Sequence, residues 1–195
     1  MITVVDRGFS AADNLADLRR AGGHYIAGMR LRDGNELVKA ALSRQGRDQQ
    51  IRDNLRGKEV RLDGTEQRFV ICHNPDQAQR DKASRDEQVA RIQAELDRIR
   101  TQRERDRART LSGTARRKAD AAQLQAECAL RDHPTLGRWL RQQPNGRLRI
   151  DRAKVKTETR LDGNYLLATS DPDLSAEDVA LATSTCWRPS VASAT

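Results

Sequence analysis

The spacing of apolar residues predicts strands and helices in alternation along this chain. Short β-branched or alternating apolar runs predict strands at residues 2–5, 24–29, 58–62, 67–72, 148–150 and 165–168. Between the first two strands, residues 10–20 have the amphipathic spacing of a helix, which the Ser10 hydroxyl is expected to cap. A second helix is predicted over residues 34–42. The chain is therefore predicted to have an α/β fold that begins with a βαβ unit.

The strands at residues 58–62 and 67–72 flank Asp63-Gly64, a dipeptide typical of tight hairpin turns. Side chains alternate between the two faces of a strand. We therefore expect a hairpin with one apolar face, made by Val60, Leu62, Phe69 and Ile71.

Charged residues dominate from residue 76 onward, and the apolar residues among them have helical spacing. Those of the first helix form a narrow seam, three, four and three residues apart: Val89, Ile92, Leu96 and Ile99. After a break at residues 111–113, a second helix is predicted over residues 115–131. Together they predict a long antiparallel helical hairpin over about residues 76–131.

Two shorter helices are predicted beyond this hairpin. The first follows His133-Pro134 and carries Trp139, which we expect in the core rather than on a base-stacking surface. The second follows Ser175, whose spacing from Asp178 is that of a capping box.

The composition favours a polyanionic partner. The chain of 195 residues has a net charge of +8 and a pI near 10.0, with 36% hydrophobic and only 3% aromatic residues. Excess positive charge favours DNA through counterion release, although interspersed acidic residues fit a solvated surface equally well. The same two interpretations apply to an arginine cluster near the hairpin tip, formed by Arg98, Arg100, Arg103, Arg105, Arg107 and Arg109.

Cysteine usage and hydropathy indicate the compartment. Cys72, Cys128 and Cys186 are odd in number and far apart, which favours a reducing cytoplasm over a disulfide framework. Their neighbours do not form the close ligand pairs of a structural zinc site. Neither a signal peptide nor an apolar run long enough to cross a bilayer is present, so we predict a cytoplasmic protein without membrane contact.

The first predicted strand ends on a carboxylate, Asp6, followed by a turn at Gly8. An acid at the tip of a core strand, beside a glycine turn, is how metal-dependent phosphoryl-transfer sites present a ligand. An ordinary aspartate in a βα loop has the same spacing. From these residues alone, both interpretations remain open.

The segment Val4-Val5-Asp6-Arg7-Gly8-Phe9-Ser10 resembles the region around the second catalytic Asp of bacterial insertion-sequence transposases. These belong to the DDE superfamily, in the branch with a long insertion between the second Asp and the catalytic Glu. The similarity continues, in the same order, through residues 21–28, 68–75, 161–170 and 174–179, and it spans about residues 2–181.

The resemblance implies a fold and a chemistry. It implies part of an RNase H-like catalytic core at residues 1–30 and an insertion domain of hairpin strands and a helical hairpin at residues 31–162. Residues 163–181 would return to the core, and residues 182–195 would form an aberrant, disordered tail. The family cleaves and transfers DNA strands with two Mg²⁺ ions, and it would assign Asp6 as a bridging metal ligand.

The resemblance also indicates what this chain lacks. Residue 1 would lie inside the family's fourth strand, so the first catalytic Asp and the DNA-recognition region have no counterpart. From residue 182 onward no carboxylate occurs, where the family has its Glu-bearing helix. Another reading frame over the codons of residues 185–190 can encode Leu-Leu-Glu-Ala-Glu, which is like that helix. We therefore predict a truncated, frameshifted transposase fragment.

Two classes of function remain at this point. The first is a transposase fragment with DNA as its partner, either self-associated or bound to an intact transposase. The second is a non-catalytic basic remnant, or a helical module, that binds nucleic acid or another partner. Because one carboxylate cannot hold two Mg²⁺ ions, we expect this chain alone to be inactive.

Overall fold

The computed structural model describes residues 1–32, 34–44 and 48–184, and these form a mixed α/β structure with a mixed sheet. The strands are β1 (Ile2–Val5), β2 (His24–Met29), β3 (Gln49–Arg52), β4 (Leu55–Arg61), β5 (Arg68–His73), β6 (Leu140–Gln142), β7 (Leu148–Ile150) and β8 (Asn164–Thr169). The helices are α1 (Ala12–Arg20), α2 (Glu36–Ser43), α3 (Pro75–Ala108), α4 (Gly113–Arg131), α5 (Arg152–Thr159) and α6 (Ala176–Ser184). The predicted α/β class is thereby confirmed.

The chain divides into two compact units. Unit 1 contains residues 1–79 together with the described residues from 163 onward, and unit 2 contains residues 80–162. The hairpin strands at residues 49–73 therefore belong to the same unit as the first βαβ segment. The resemblance implies segment boundaries at residues 30 and 162 of this chain, and these boundaries stay a prediction.

Unit 1 is built on a six-stranded sheet with the order β1-β2-β8-β5-β4-β3. Strands β1 and β2 are parallel and joined by α1, whereas the other neighbouring pairs are antiparallel. Strand β8 lies between β2 and β5, so Thr169 is in register with Ile26 on one side and with Arg68 on the other. The chain thus returns from residues 80–162 into the middle of the sheet.

Each face of this sheet packs against its own apolar cluster. Phe69, Ile71, Val60 and Leu62 share one cluster with residues of α1 and α2, which confirms the predicted hairpin face. Val70 and Cys72 alternate with Phe69 and Ile71 along β5, and they pack on the other face against residues of α6. The strand is buried on both faces, which accounts for its continuous apolar sequence.

Unit 2 has a separate core around the predicted seam. Ile92 and Ile99 are buried there with residues that follow along the chain: Leu130, Leu136, Trp139 and Ile150. Val89 and Leu96 pack against the same cluster, so the seam faces the second helix as predicted. An ion pair joins Arg103 of α3 to Glu127 of α4.

Trp139 is a core residue, as the sequence predicts. Its side chain is fully buried, and its indole Nε1–H donates a hydrogen bond to Oε1 of Gln88 at 2.8 Å. This partner is what a buried indole needs.

Two of the local predictions are wrong. Ser10 does not cap α1, because its hydroxyl donates to the Arg7 carbonyl at 2.9 Å and the helix begins after Ala11. The helix predicted after His133-Pro134 is a single 3₁₀ turn at Gly137–Trp139. Leu140 pairs with Ile150 in the β6–β7 hairpin, and this pairing ends the turn.

The predicted cap of the last helix is confirmed. The backbone N–H of Asp178 donates to the Ser175 hydroxyl at 3.0 Å, and that hydroxyl donates to the Asp178 carboxylate at 2.6 Å. Residues 182–184 of the predicted tail continue α6, and residues 185–195 lie outside the described residues. Among the helices that the structure describes, none is both long enough and apolar enough to cross a bilayer.

Candidate functional site

Asp6 lies immediately after β1, at the carboxyl end of the parallel β1–β2 pair. Ligands of α/β sheets bind outside the carboxyl ends of parallel strands, where loops present side chains without breaking the sheet. Asp6 is exposed to solvent. Both its position and its exposure therefore suit contact with a cation.

The loop after Asp6 holds the carboxylate through backbone N–H groups. Oδ1 of Asp6 accepts hydrogen bonds from the N–H of Gly8 at 2.8 Å and of Phe9 at 3.2 Å. This is an Asx turn, in which the side chain stabilises the chain reversal that leads into α1. The carboxylate thus has a structural role of its own, whatever it binds.

Glycine at two positions permits this arrangement. A Cβ at Gly8 would lie 3.1 Å from Oδ1 of Asp6, which is tighter than most such contacts. A Cβ at Gly28 of β2 would lie 3.2 Å from Cγ of Arg7. The loop therefore packs closely over the neighbouring strand, and this packing limits where the Asp6 carboxylate can lie.

The structure does not bring other acids to Asp6 to complete a metal site. Asp13 and Asp17 lie along α1, and the carboxylate of Asp17 pairs with Arg20. Across residues 1–32, 34–44 and 48–184, no group of three or more His, Cys, Asp or Glu side chains could hold a metal ion. Mg²⁺ requires near-octahedral oxygen ligands. The described residues by themselves therefore do not fit the predicted two-metal site, and the metal-binding role of Asp6 stays a prediction.

A polar cluster that sequence reasoning missed lies at the start of β5. The Arg68 guanidinium pairs with Glu59 on β4, with nitrogen–oxygen distances of 2.7 and 3.0 Å. It also donates to the carbonyls of Asp171 and Leu174, at 2.8 and 2.9 Å. One buried side chain thereby ties the β4–β5 hairpin to the segment between β8 and α6.

The charges of this cluster affect one another. Hydrogen bonds from Arg68, whose effect is the larger, and from Arg61 lower the pKa of Glu59 to about 2, even though partial burial opposes the charged form. Backbone N–H groups of Asp173 and Leu174 lower the pKa of Asp171, which caps that turn. The sequence signal that could have revealed this cluster is Arg68, which stands at the start of the apolar run of β5. An arginine that is buried beside such a strand needs a negatively charged or carbonyl partner.

Cys72 is buried in the sheet, and burial raises the pKa of its thiol to about 12. The thiolate is the form that attacks electrophiles and binds metals, so burial disfavours the reactive form of Cys72 at neutral pH.

The predicted arginine cluster divides into two groups. Arg98, Arg100 and Arg103 each have a carboxylate partner, at Glu95, Asp97 and Glu127 respectively. Arg105, Arg107 and Arg109 have no ion pair within the part of the chain that the structure describes. The solvated interpretation therefore suits the first group, and the second group keeps its charge available.

Comparison with protein-family models, with curated proteins and with solved structures found no match for this chain.

Proposed function

We propose that this chain is a piece of a DDE transposase with part of an RNase H-like core, and that Asp6 is one of the carboxylates that bind Mg²⁺. The observation that carries the proposal is the position of Asp6. It is an exposed carboxylate at the carboxyl end of a strand in a parallel βαβ unit. Together with the ordered blocks of sequence resemblance, this favours a metal-binding role over an ordinary loop aspartate.

The path of the chain also supports this proposal. After β2 the chain passes through the hairpin strands and the whole of unit 2, and β8 then pairs with β2. Strands β3, β4 and β5 belong to the same sheet, so the segment that leaves the sheet and re-enters it is residues 80–162. The resemblance implies an insertion between the second Asp and the Glu.

The chemistry expected of the isolated chain follows from the number of carboxylates at Asp6. Phosphoryl transfer with two metal ions needs ligands from several elements around the scissile phosphate. The described residues bring no group of three or more His, Cys, Asp or Glu side chains together that could hold such ions. We therefore propose that this chain alone binds DNA without cutting it, and that it associates with a second copy or with an intact transposase.

A second candidate function is a non-catalytic module that binds nucleic acid. It is favoured by the net charge of +8 and by the arginines of α3 that lack carboxylate partners among the described residues. This candidate shares the DNA partner with the first one and differs from it in giving Asp6 no metal.

A nicking assay tests whether this chain can cleave DNA on its own and whether any such cleavage depends on Asp6. Supercoiled plasmid is incubated with Mg²⁺ or Mn²⁺ and with the wild-type chain, with Asp6→Asn, or with Asp13→Asn as a matched control on α1. We expect no nicking above background from any of the three. Nicking by the wild type and by Asp13→Asn, but not by Asp6→Asn, would contradict the proposal that this chain cannot cleave alone.

A further inference from the structure

A groove with a volume of about 390 Å³ lies along α3 in unit 2. Six arginines line it: Arg100, Arg103 and Arg107 from α3, Arg147 immediately before β7, Arg149 from β7, and Arg152 from the start of α5. We call this surface the arginine groove. The sequence pattern indicated only the α3 members, because the others approach them through the fold.

The local structure explains why these arginines share one surface. Arg100, Arg103 and Arg107 are three and four residues apart, so they follow one face of α3. Leu148 and Ile150 of β7 pack into the unit 2 core, while Arg147 and Arg149 are exposed. The arginine groove is therefore attached to a packed core rather than to a loose loop.

The arginines that line the arginine groove outnumber its carboxylates, so the surface has a net positive charge. Its lining includes three carboxylates, and two of them already have partners, in the pairs Asp97–Arg100 and Glu127–Arg103. The remaining guanidinium groups make no ion pair within residues 1–32, 34–44 and 48–184: Arg107, Arg147, Arg149 and Arg152. All four are exposed. Like charges held close together repel one another, and a bound anion would relieve that cost.

We infer that the arginine groove is where this chain contacts the phosphodiester backbone of DNA. This inference rests on the proposed function for its DNA partner, and it names the surface involved. Guanidinium groups match phosphate oxygens in a bidentate geometry. The residues that line the groove include no aromatic side chain on which a base could stack. The contact is therefore with the backbone and does not depend on base sequence.

The test compares two triple variants that remove the same charge. Arg107→Gln/Arg147→Gln/Arg149→Gln changes the arginine groove, and Arg30→Gln/Arg52→Gln/Arg56→Gln changes exposed arginines of unit 1. Binding to a fluorescent DNA duplex is followed by anisotropy over a range of salt concentrations. Circular dichroism and thermal unfolding check that both variants are folded.

We expect the arginine-groove variant to bind DNA about 10- to 100-fold more weakly than the wild type at low salt. The slope of the logarithm of the binding constant against the logarithm of the salt concentration should become shallower by about 2 to 3. The control should change this slope by less than about 1. Equal losses in the two variants would overturn the arginine-groove assignment. So would binding to anionic lipid vesicles that depends on the groove, in the absence of DNA binding.

The outcomes separate this inference from the proposed function. If the wild type fails to bind DNA at low salt, the DNA partner and the arginine groove are both wrong. If DNA binding depends on the groove but the transposase assignment fails its own test, the groove remains as the surface of a non-catalytic DNA-binding module. If DNA binds and both triple variants lose affinity equally, only the groove assignment is wrong.

Discussion

Replacing Glu59 with Gln tests how unit 1 is held together. Glu59 is the carboxylate partner of Arg68, which is only 7% exposed and also donates to the carbonyls of Asp171 and Leu174. The Gln side chain has nearly the same shape and keeps one acceptor oxygen. The substitution therefore removes the negative charge that compensates the buried guanidinium, with little change in packing.

The magnitude follows from the ionisation of Glu59. Arg68, and to a smaller extent Arg61, lower the pKa of this carboxyl from its usual value of 4.5 to about 2, so the folded state favours the charged form. A shift of that size corresponds to at most about 3 kcal/mol. Because 28% of the Glu59 side chain is exposed and solvent screens the pair, we expect Glu59→Gln to cost about 2 kcal/mol near neutral pH.

The pH dependence has a definite sign. The pKa of Glu59 is lower in the folded state than in the unfolded state, so its contribution to stability is fully present above about pH 4.5. It is lost as the pH falls from about 4.5 towards 2. The difference in free energy of unfolding between wild type and variant should therefore be constant from neutral pH down to about pH 5 and shrink below it.

Hydrogen exchange of the β4 and β5 amides measures this effect in unit 1 itself. Fluorescence is less suitable, because Trp139, the tryptophan among the described residues, belongs to unit 2. Glu66→Gln is the matched control, since Glu66 pairs with Arg19 but is 81% exposed, and it should cost less than about 0.5 kcal/mol. The reasoning is refuted if Glu59→Gln behaves like Glu66→Gln at neutral pH, or if its cost persists undiminished near pH 3.

Further predictions concern unit 2. Urea unfolding followed by tryptophan fluorescence measures them, in a Trp187→Phe background that leaves Trp139 as the fluorophore. Asp162→Ala leaves the Arg85 guanidinium buried without its partner and should lower the free energy of unfolding by about 3–5 kcal/mol. Arg85→Met/Asp162→Leu, which removes both charges, should stay within about 1 kcal/mol of the wild type. Equal losses in the two variants would contradict the ion-pair reasoning. Ile92→Ala leaves a cavity at a fully buried site and should lower the free energy of unfolding by about 3–4 kcal/mol. Its control is Leu124→Ala in α4, where the leucine is 62% exposed and the loss should be less than about 0.5 kcal/mol. A small effect of Ile92→Ala would place the core of unit 2 elsewhere.

The sequence predicted those elements whose apolar period is imposed by a core. Strand β2 has the predicted bounds, and the seam from Val89 to Ile99 packs as expected, because in both cases one face must be buried. Helix α5 was missed because it buries no residue fully, so its sequence carries no strong period. The turn at Gly137–Trp139 was mistaken for a helix because Leu140 pairs with a strand partner ten residues later.

The candidate sites were predictable to different extents. The sequence placed Asp6 at a strand end, because a β-branched run followed by a glycine turn is a local signal. It did not predict that Gly8 and Phe9 would bind its carboxylate, since loop hydrogen bonds leave no periodic pattern. The arginine groove was predictable only for its α3 members, because Arg149 and Arg152 reach it through tertiary packing.

Sequencing the DNA on both sides of the coding region is the most direct test of the claim that this chain is a piece of a DDE transposase. We predict inverted repeats flanking the locus, together with an upstream reading frame that encodes the family's first catalytic Asp. A second frame over the codons of residues 185–190 should encode Leu-Leu-Glu-Ala-Glu. Flanks with neither inverted repeats nor these reading frames would contradict the transposase assignment.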